Sequence, residues 1–280
     1  MQMRNYFDSG ITKPYAFRKE QLIKLQQAVK KYEQPLHEAL FVDLKKSPEE
    51  CWVTETGFLL SELSNILKHL KGWMQPESVS TNLLNLPSKS FILQEPLGVV
   101  LIISPWNYPF QLLMTPLAGA MAAGNCVILK SSEFAPATSA VMKQMIEETF
   151  DKNYIQFVEG DGAVVIPEMM NNFTFDHVFY TGSTAVGKLV YKMAAERLVP
   201  VTLELGGKSP VLVDETANLD TAAAKIMWIK LVNAGQTCIA PDYVLVHESV
   251  HDALLEKMKA KVKQFYGNTP EAIQQGPDLC

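Results

Sequence analysis

A chain of 280 residues, 48% hydrophobic and 20% charged, has the make-up of a globular protein of one or two domains. Its 25 Lys+Arg against 30 Asp+Glu leave a formal charge of −5, which argues against a non-specific nucleic-acid binder, since that activity needs excess positive charge. The four cysteines, Cys51, Cys126, Cys238 and Cys280, form no C-x-x-C pair and lie at no metal-ligand spacing from a histidine, so a reducing, cytoplasmic setting is expected rather than a disulfide framework.

No apolar run follows Met1–Asn5, so no signal peptide is expected. Residues 17–45 read as helix with a break or kink at Pro35, and Leu22, Leu25, Val29 and Tyr32 mark its apolar face. Ser47-Pro48-Glu49-Glu50 reads as a capping box that opens a second helix. That helix carries Leu59, Leu63, Ile66 and Leu70 on one face and stops near Gly72; Cys51, near its start, is read as structural. Ser80–Leu84 and Ser90–Gln94, either side of Pro87-Ser88-Lys89, predict a two-stranded ribbon within residues 79–95. Such a ribbon is marginal alone, so it is expected to pack on something else, a partner subunit being one candidate.

No charged residue occurs from Leu97 to Leu129, but Pro105, Asn107, Pro109, Gln111, Pro116 and Asn125 interrupt the run, so buried strands and a core helix are expected rather than a transmembrane segment. Short apolar strands at Val99–Ile103, Cys126–Leu129, Ile155–Val158, His177–Tyr180 and Val201–Leu203 alternate with helical stretches. This pattern implies an α/β fold, a parallel sheet covered by helices, with ligands bound at the carboxyl ends of its strands. Lys130, Gly182 and Glu204 follow such strands, so one crevice could hold all three. A new pattern begins after Gly207, with Ser209–Val213, a helix through Trp228, the Cys238 loop, the strand Tyr243–Val246 and a last helix. Too few residues follow Cys238 for a typical domain, so this second unit is expected to be incomplete.

The chemistry-bearing residues read as follows. Cys238 lies between Gly, Gln and Thr residues rather than apolar neighbours, and Glu204-Leu205-Gly206-Gly207 offers a carboxylate followed by glycines that permit close approach. A nucleophile and a base on separate turns suggest covalent catalysis, against the plainer readings of a buried free thiol and a surface carboxylate. Gly182-Ser183-Thr184-Ala185-Val186-Gly187 opens a helix and suits a phosphate; an ordinary glycine turn capped by Ser183 accounts for it equally well. Lys130 and Glu133 could hold the two hydroxyls of a ribose, though a solvated loop end is the plainer reading. Asn107 could donate to an oxyanion or serve a tight turn. His247 and His251 are spaced like a helical metal pair but lack a third ligand, so no metal site is expected; His177 reads as packing and Cys126 as structural.

Taken together, five stretches resemble the aldehyde dehydrogenase superfamily, and its class 3 branch most. They are Glu95–Val100, Pro105–Phe110, Tyr180–Gly187, Leu203–Pro210 and Gly235–Tyr243. The resemblance implies a Rossmann-like NAD(P)-binding domain with the N-terminal helices and ribbon over residues 1–207, and the start of an α/β catalytic domain over 208–280. It implies that Cys238 attacks an aldehyde carbonyl while the Asn107 amide and the Cys238 backbone N–H hold the oxyanion. Glu204 would then activate the water that hydrolyses the resulting thioester to a carboxylic acid. Lys130 and Glu133 match the adenosine-ribose pair, Ser183 a pyrophosphate contact and Leu205 a nicotinamide contact, and Gly182 and Gly187 are expected among the cofactor-binding residues. The resemblance implies NAD first, with NADP as the alternative, and a homodimer in the full-length protein. Ser131 stands where the family usually has Pro. Acyl transfer to coenzyme A or phosphate, and a truncated cofactor-binding module without turnover, are the competing readings.

Overall fold

The computed structural model describes residues 2–269 and 271; Cys280 lies outside them. Five helices come first: α1 Gln2–Asp8, α2 Tyr15–Lys31, α3 Glu33–Leu44, α4 Pro48–Cys51 and α5 Gly57–Trp73. The break expected at Pro35 falls at Tyr32 (φ −98°, ψ 7°). Proline lacks an N–H and clashes with the preceding turn, so it is accommodated in the first turn of a new helix, and the chain breaks ahead of it. Ser47 caps α4 by accepting from the Glu50 N–H. Between α4 and α5 the chain makes one wide π turn, Trp52–Thr56, that interrupts the single helix expected there. Leu59, Leu63, Ile66 and Leu70 all face the core.

The ribbon forms, one step out of the expected place. β1 is Glu77–Val79 and β2 is Ser90–Ile92, paired antiparallel with Ser78 opposite Phe91. Residues 80–84 are not strand, because the Asn82 side chain accepts from the Asn85 N–H and closes a tight 3-10 turn over Leu83–Asn85.

The alternating segment then builds the sheet: β3 Val99–Ile103, α6 Gln111–Ala123, β4 Cys126–Lys130, α7 Pro136–Thr149, β5 Ile155–Val158, α8 Gly162–Asn172, β6 His177–Gly182, α9 Thr184–Ala195 and β7 Val201–Leu205. Its order is β5-β4-β3-β6-β7, with every pairing parallel. All five residues of β3 are buried, as a central strand covered on both faces requires. The charge-free run from Leu97 is therefore β3, α6 and β4 packed into the core, and no helix among the described residues is long and apolar enough to cross a membrane. The N-terminal helices are tied to this layer by Asp43 of α3. Its carboxylate accepts from the Ala137 and Thr138 N–H groups (3.2 and 2.7 Å) and caps α7 from outside.

β8 Ser209–Val213 and β9 Pro241–Val246 form a separate parallel pair, joined by α10 Leu219–Leu231 and followed by α11 His251–Tyr266. Val213, Ala223, Ile226 and Leu254 make a small apolar cluster of their own. The chain proceeds outward from β3 to β5, then returns to the other side of β3 with β6 and β7. The sheet thus reverses direction between β3 and β6, the place where a parallel sheet leaves a crevice at its carboxyl edge.

Candidate active site

The register of the strands brings the expected residues to that edge. Lys130 ends β4 opposite Ile103, Gly182 ends β6, and Glu204 and Leu205 end β7 opposite Thr181 and Gly182. Two adjoining clefts open there, sharing Pro105, Trp106, Thr181, Gly182 and Ser183 as their common wall.

The first cleft, about 690 Å³, is lined by Lys130, Glu133, Gly182 and Ser183, with Phe134, Val186 and Leu189 as apolar walls. The Lys130 stem is buried; its ammonium donates to the Ser131 carbonyl and, at 3.3 Å, to Glu133. Burial alone would raise the Glu133 carboxyl. Hydrogen bonds from its own amide and the Gly162 amide, with the Lys130 ammonium, outweigh that and hold it below the usual value. Ser131 is buried and bonded through its hydroxyl to Ser139 at 2.6 Å. Ser183 caps α9 by accepting from the Val186 N–H, so the positive end of that helix faces the shared wall. A cleft that holds the paired Lys130 and Glu133, a helix N-terminus and apolar walls suits a dinucleotide: hydroxyls at Glu133, phosphates at Ser183, a flat ring against Phe134 and Val186. Gly187 lines neither cleft. A Cβ there would come 2.9 Å from Leu205 Cδ2, so its place is the close packing of α9 on β7.

The second cleft, about 440 Å³, brings together Asn107, Glu204, Leu205, Gly206, Gly207 and Cys238. Cys238 is exposed, whereas Cys51 and Cys126 are buried and pushed up to about 12 by desolvation. Gly207 permits the close approach expected of it: a Cβ there would lie 3.1 Å from the Cys238 carbonyl oxygen, while Gly206 faces open space.

The Cys238 loop is built on unusual backbone. Asn233, Ala234 and Gly235 take φ values of 53°, 51° and 77° in succession, the left-handed region, which strains the first two. The loop is held by bonds to distant residues. The Asn233 N–H donates to Glu50 Oε1 (2.9 Å), and Asn233 Nδ2 donates to the Asn107 carbonyl (2.8 Å). Asn107 Nδ2 donates to the Gln236 carbonyl (2.8 Å), and the Tyr108 hydroxyl bonds Thr237 Oγ1 (2.5 Å). An amide nitrogen carries two hydrogens, so Asn107 is anchored by one and retains a second.

Sequence reasoning did not find the groups beneath this loop. Lys46 Nζ donates to Glu55 Oε1 (2.6 Å) and to the Asn107 carbonyl (3.0 Å), and lies 4.0 Å from the centre of the Tyr108 ring. Glu55 Oε2 accepts from the Gln111 N–H at 2.7 Å. Burial pushes the Glu55 carboxyl up, against the pull of Lys46. The available signal was Glu55 standing four residues after Cys51 and four before Leu59, on the apolar face. Of the three histidines weighed from the sequence, His177 bonds Thr202, His247 bonds Ser249 and His251 pairs with Asp252. Among the described residues no group of three or more His, Cys, Asp or Glu could hold a metal ion.

A family model described as the aldehyde dehydrogenase family matches residues 4–278. The 4,4'-diaponeurosporen-aldehyde dehydrogenase of Staphylococcus aureus is 50% identical over 273 residues, covering 98% of this chain and 58% of that protein. Aldehyde dehydrogenase family 3 member A2 of Macaca fascicularis is 42% identical over 277 residues, 99% of this chain and 56% of that one. The chain thus spans little more than half the length of these relatives. Among solved structures, the substrate-bound state of Staphylococcus aureus AldH matches with a TM-score of 0.95 at 49% identity, over 99% of this chain and 60% of that one. A point mutant of Staphylococcus aureus betaine aldehyde dehydrogenase, in complex with NAD+ and with a BME-modified cysteine, matches at 0.84 and 28% identity, over 95% and 54%.

Proposed function

This chain belongs to the aldehyde dehydrogenase family, and on that premise we propose that it carries the NAD(P)-binding and nucleophile-bearing parts of an enzyme that oxidises an aldehyde to a carboxylic acid. The observation that carries the reading is the second cleft, where Cys238, Asn107 and Glu204 line one space that adjoins the dinucleotide-shaped cleft.

A free thiol of pKa ~8.5 is only a few per cent thiolate at neutral pH, so attack needs a base or local dipoles. Cys238 adds to the aldehyde carbonyl, and the oxygen becomes an oxyanion beside the free hydrogen of the Asn107 amide. NAD, or NADP, supplies the hydride acceptor when bound. The thiohemiacetal on Cys238, once oxidised, is a thioester. Glu204 takes a proton from water, the hydroxide adds to the thioester, and the C–S bond breaks to release the acid and restore the thiol. Lys130 and Glu133 hold the adenosine ribose, Ser183 and the α9 N-terminus hold the pyrophosphate, and Leu205 offers its backbone to the nicotinamide. A Cβ at Gly182 would collide with the Tyr180 hydroxyl, so only glycine fits at that point of the shared wall. The separate apolar cluster of Val213, Ala223, Ile226 and Leu254 supports a division into residues 1–207 and 208–280.

The test is the intact mass of a Glu204→Gln variant before and after mixing with NAD and a mid-chain or aromatic aldehyde. The expected result is an acyl-sized gain that maps to Cys238, because water is no longer activated. No gain with NAD still bound would make this chain a cofactor-binding module alone. Rapid loss of the acyl group only on adding coenzyme A or phosphate to the unmodified chain would favour acyl transfer over hydrolysis.

A further inference from the structure

Lys46 and Glu55 meet at 2.6 Å with both side chains 0% exposed, whereas every other ion pair among the described residues reaches solvent on at least one side. Such a pair is weak support for stability, because desolvating two charges costs about as much as their attraction contributes. Packing therefore gives no reason for two fully buried charges here. Their bonds do. Lys46 donates to the carbonyl of residue 107 and Glu55 accepts from the N–H of residue 111. One ammonium and one carboxylate, bonded to each other, hold both ends of a single turn.

We propose that Lys46 and Glu55 are positioning residues that clamp the turn 107–111 and so aim the Asn107 amide at the oxygen developing on the Cys238 adduct. The inference rests on the oxyanion role proposed for Asn107. The clamp reaches the nucleophile loop as well as the donor. The Asn107 carbonyl that Lys46 fixes also receives Asn233 Nδ2, and the Asn107 side chain holds the Gln236 carbonyl. Tyr108, whose ring lies over the Lys46 ammonium, bonds Thr237 next to Cys238. The amide and the thiol are therefore registered to one another through a buried pair that touches neither substrate nor cofactor. A misplacement of about 1 Å at such a site costs on the order of 10² in rate.

The experiment is a double-variant cycle in the protein at its full natural length, following kcat and KM for aldehyde oxidation and the NAD dissociation constant. Lys46→Met/Glu55→Gln removes both charges together, which avoids leaving one unpaired in the core. It is expected to lower kcat by about 10² while KM and NAD affinity stay within about twofold. Asn107→Ala is expected to lower kcat by about 10²–10³. If the clamp works through Asn107, replacing the pair costs several-fold less in the Asn107→Ala background than in the unmodified one. Equal losses in the two backgrounds, or no loss in the unmodified one, would overturn the clamp. An Asn107→Ala rate equal to that of the parent would remove the oxyanion role and the clamp together, which is a different outcome from additive losses. Should Lys46→Met/Glu55→Gln fail to fold, Lys46→Gln/Glu55→Gln keeps polar groups at both places with a shorter reach to the Asn107 carbonyl, and enters the same cycle under the same criterion.

Discussion

On our reading of the first cleft, the Glu133 carboxylate would meet the ribose at which NAD and NADP differ. Its oxygens face Lys130 and the Gly162 N–H, and it keeps its charge because those hydrogen bonds outweigh its burial. A negative group there accepts from a ribose hydroxyl and repels a 2′-phosphate. Glu133→Gln is therefore expected to raise the ratio of NADP to NAD use, as kcat/KM, by about tenfold, or ~1.4 kcal/mol. An unchanged ratio would take Glu133 out of cofactor choice. The sequence alone put Glu133 at a loop end three positions after a strand, and only the family resemblance gave it a ribose; Cys238 stood out further, because its polar neighbours set it apart from the two buried thiols. Lys46 and Glu55 were not legible. Their partners, Asn107 and Gln111, lie more than fifty residues downstream, and only the folded chain brings the two turns into register.

At the scale of elements, period and burial decided what could be read. β3 is buried throughout and its sequence is uninterrupted apolar; α5 shows its four inward residues at helical spacing. What failed was local hydrogen bonding that overrides pattern: the Asn82 cap that turned a predicted strand into a 3-10 turn, and the break that formed at Tyr32 ahead of Pro35. Two elements also set a pH response. His37, in α3 against Thr56, and His177, in β6 against Thr202, are both held below the ordinary histidine value by burial. The folded protein thus binds protons at these rings less readily than the unfolded chain. The stability they contribute is present above about pH 6.5 and is lost as pH falls through their folded values. The denaturant midpoint is expected to drop as pH falls below about 6.5, and to drop less in His177→Gln. Parallel pH curves for parent and variant would exclude His177 from the effect.

On the scale of the whole molecule, the ribbon stands apart from the sheet layer. Leu83 and Leu84 are 85% and 95% exposed, and Phe91, Ile92 and Leu93 are exposed with them. A run of apolar side chains of this kind marks a contact surface, and our reading is that residues 79–95 join two copies. A chain without these residues is expected to sediment as a monomer at concentrations where the intact chain is a dimer; a dimer in both would place the contact elsewhere.

The wide turn at Trp52–Thr56 has a consequence for angular phase. Cys51, Glu55, Leu59 and Leu63 are buried at intervals of four. In a regular α-helix each such step overshoots by about 40°, so three steps would carry the stripe about 120° around the axis. One residue taken up by a wider turn cancels about 100° of that drift. The carboxylate of Glu55 therefore points along the same line as the leucines that follow it. A chain one residue shorter at that turn would keep its leucines inward and rotate the acid about a quarter-turn away from the ammonium it meets.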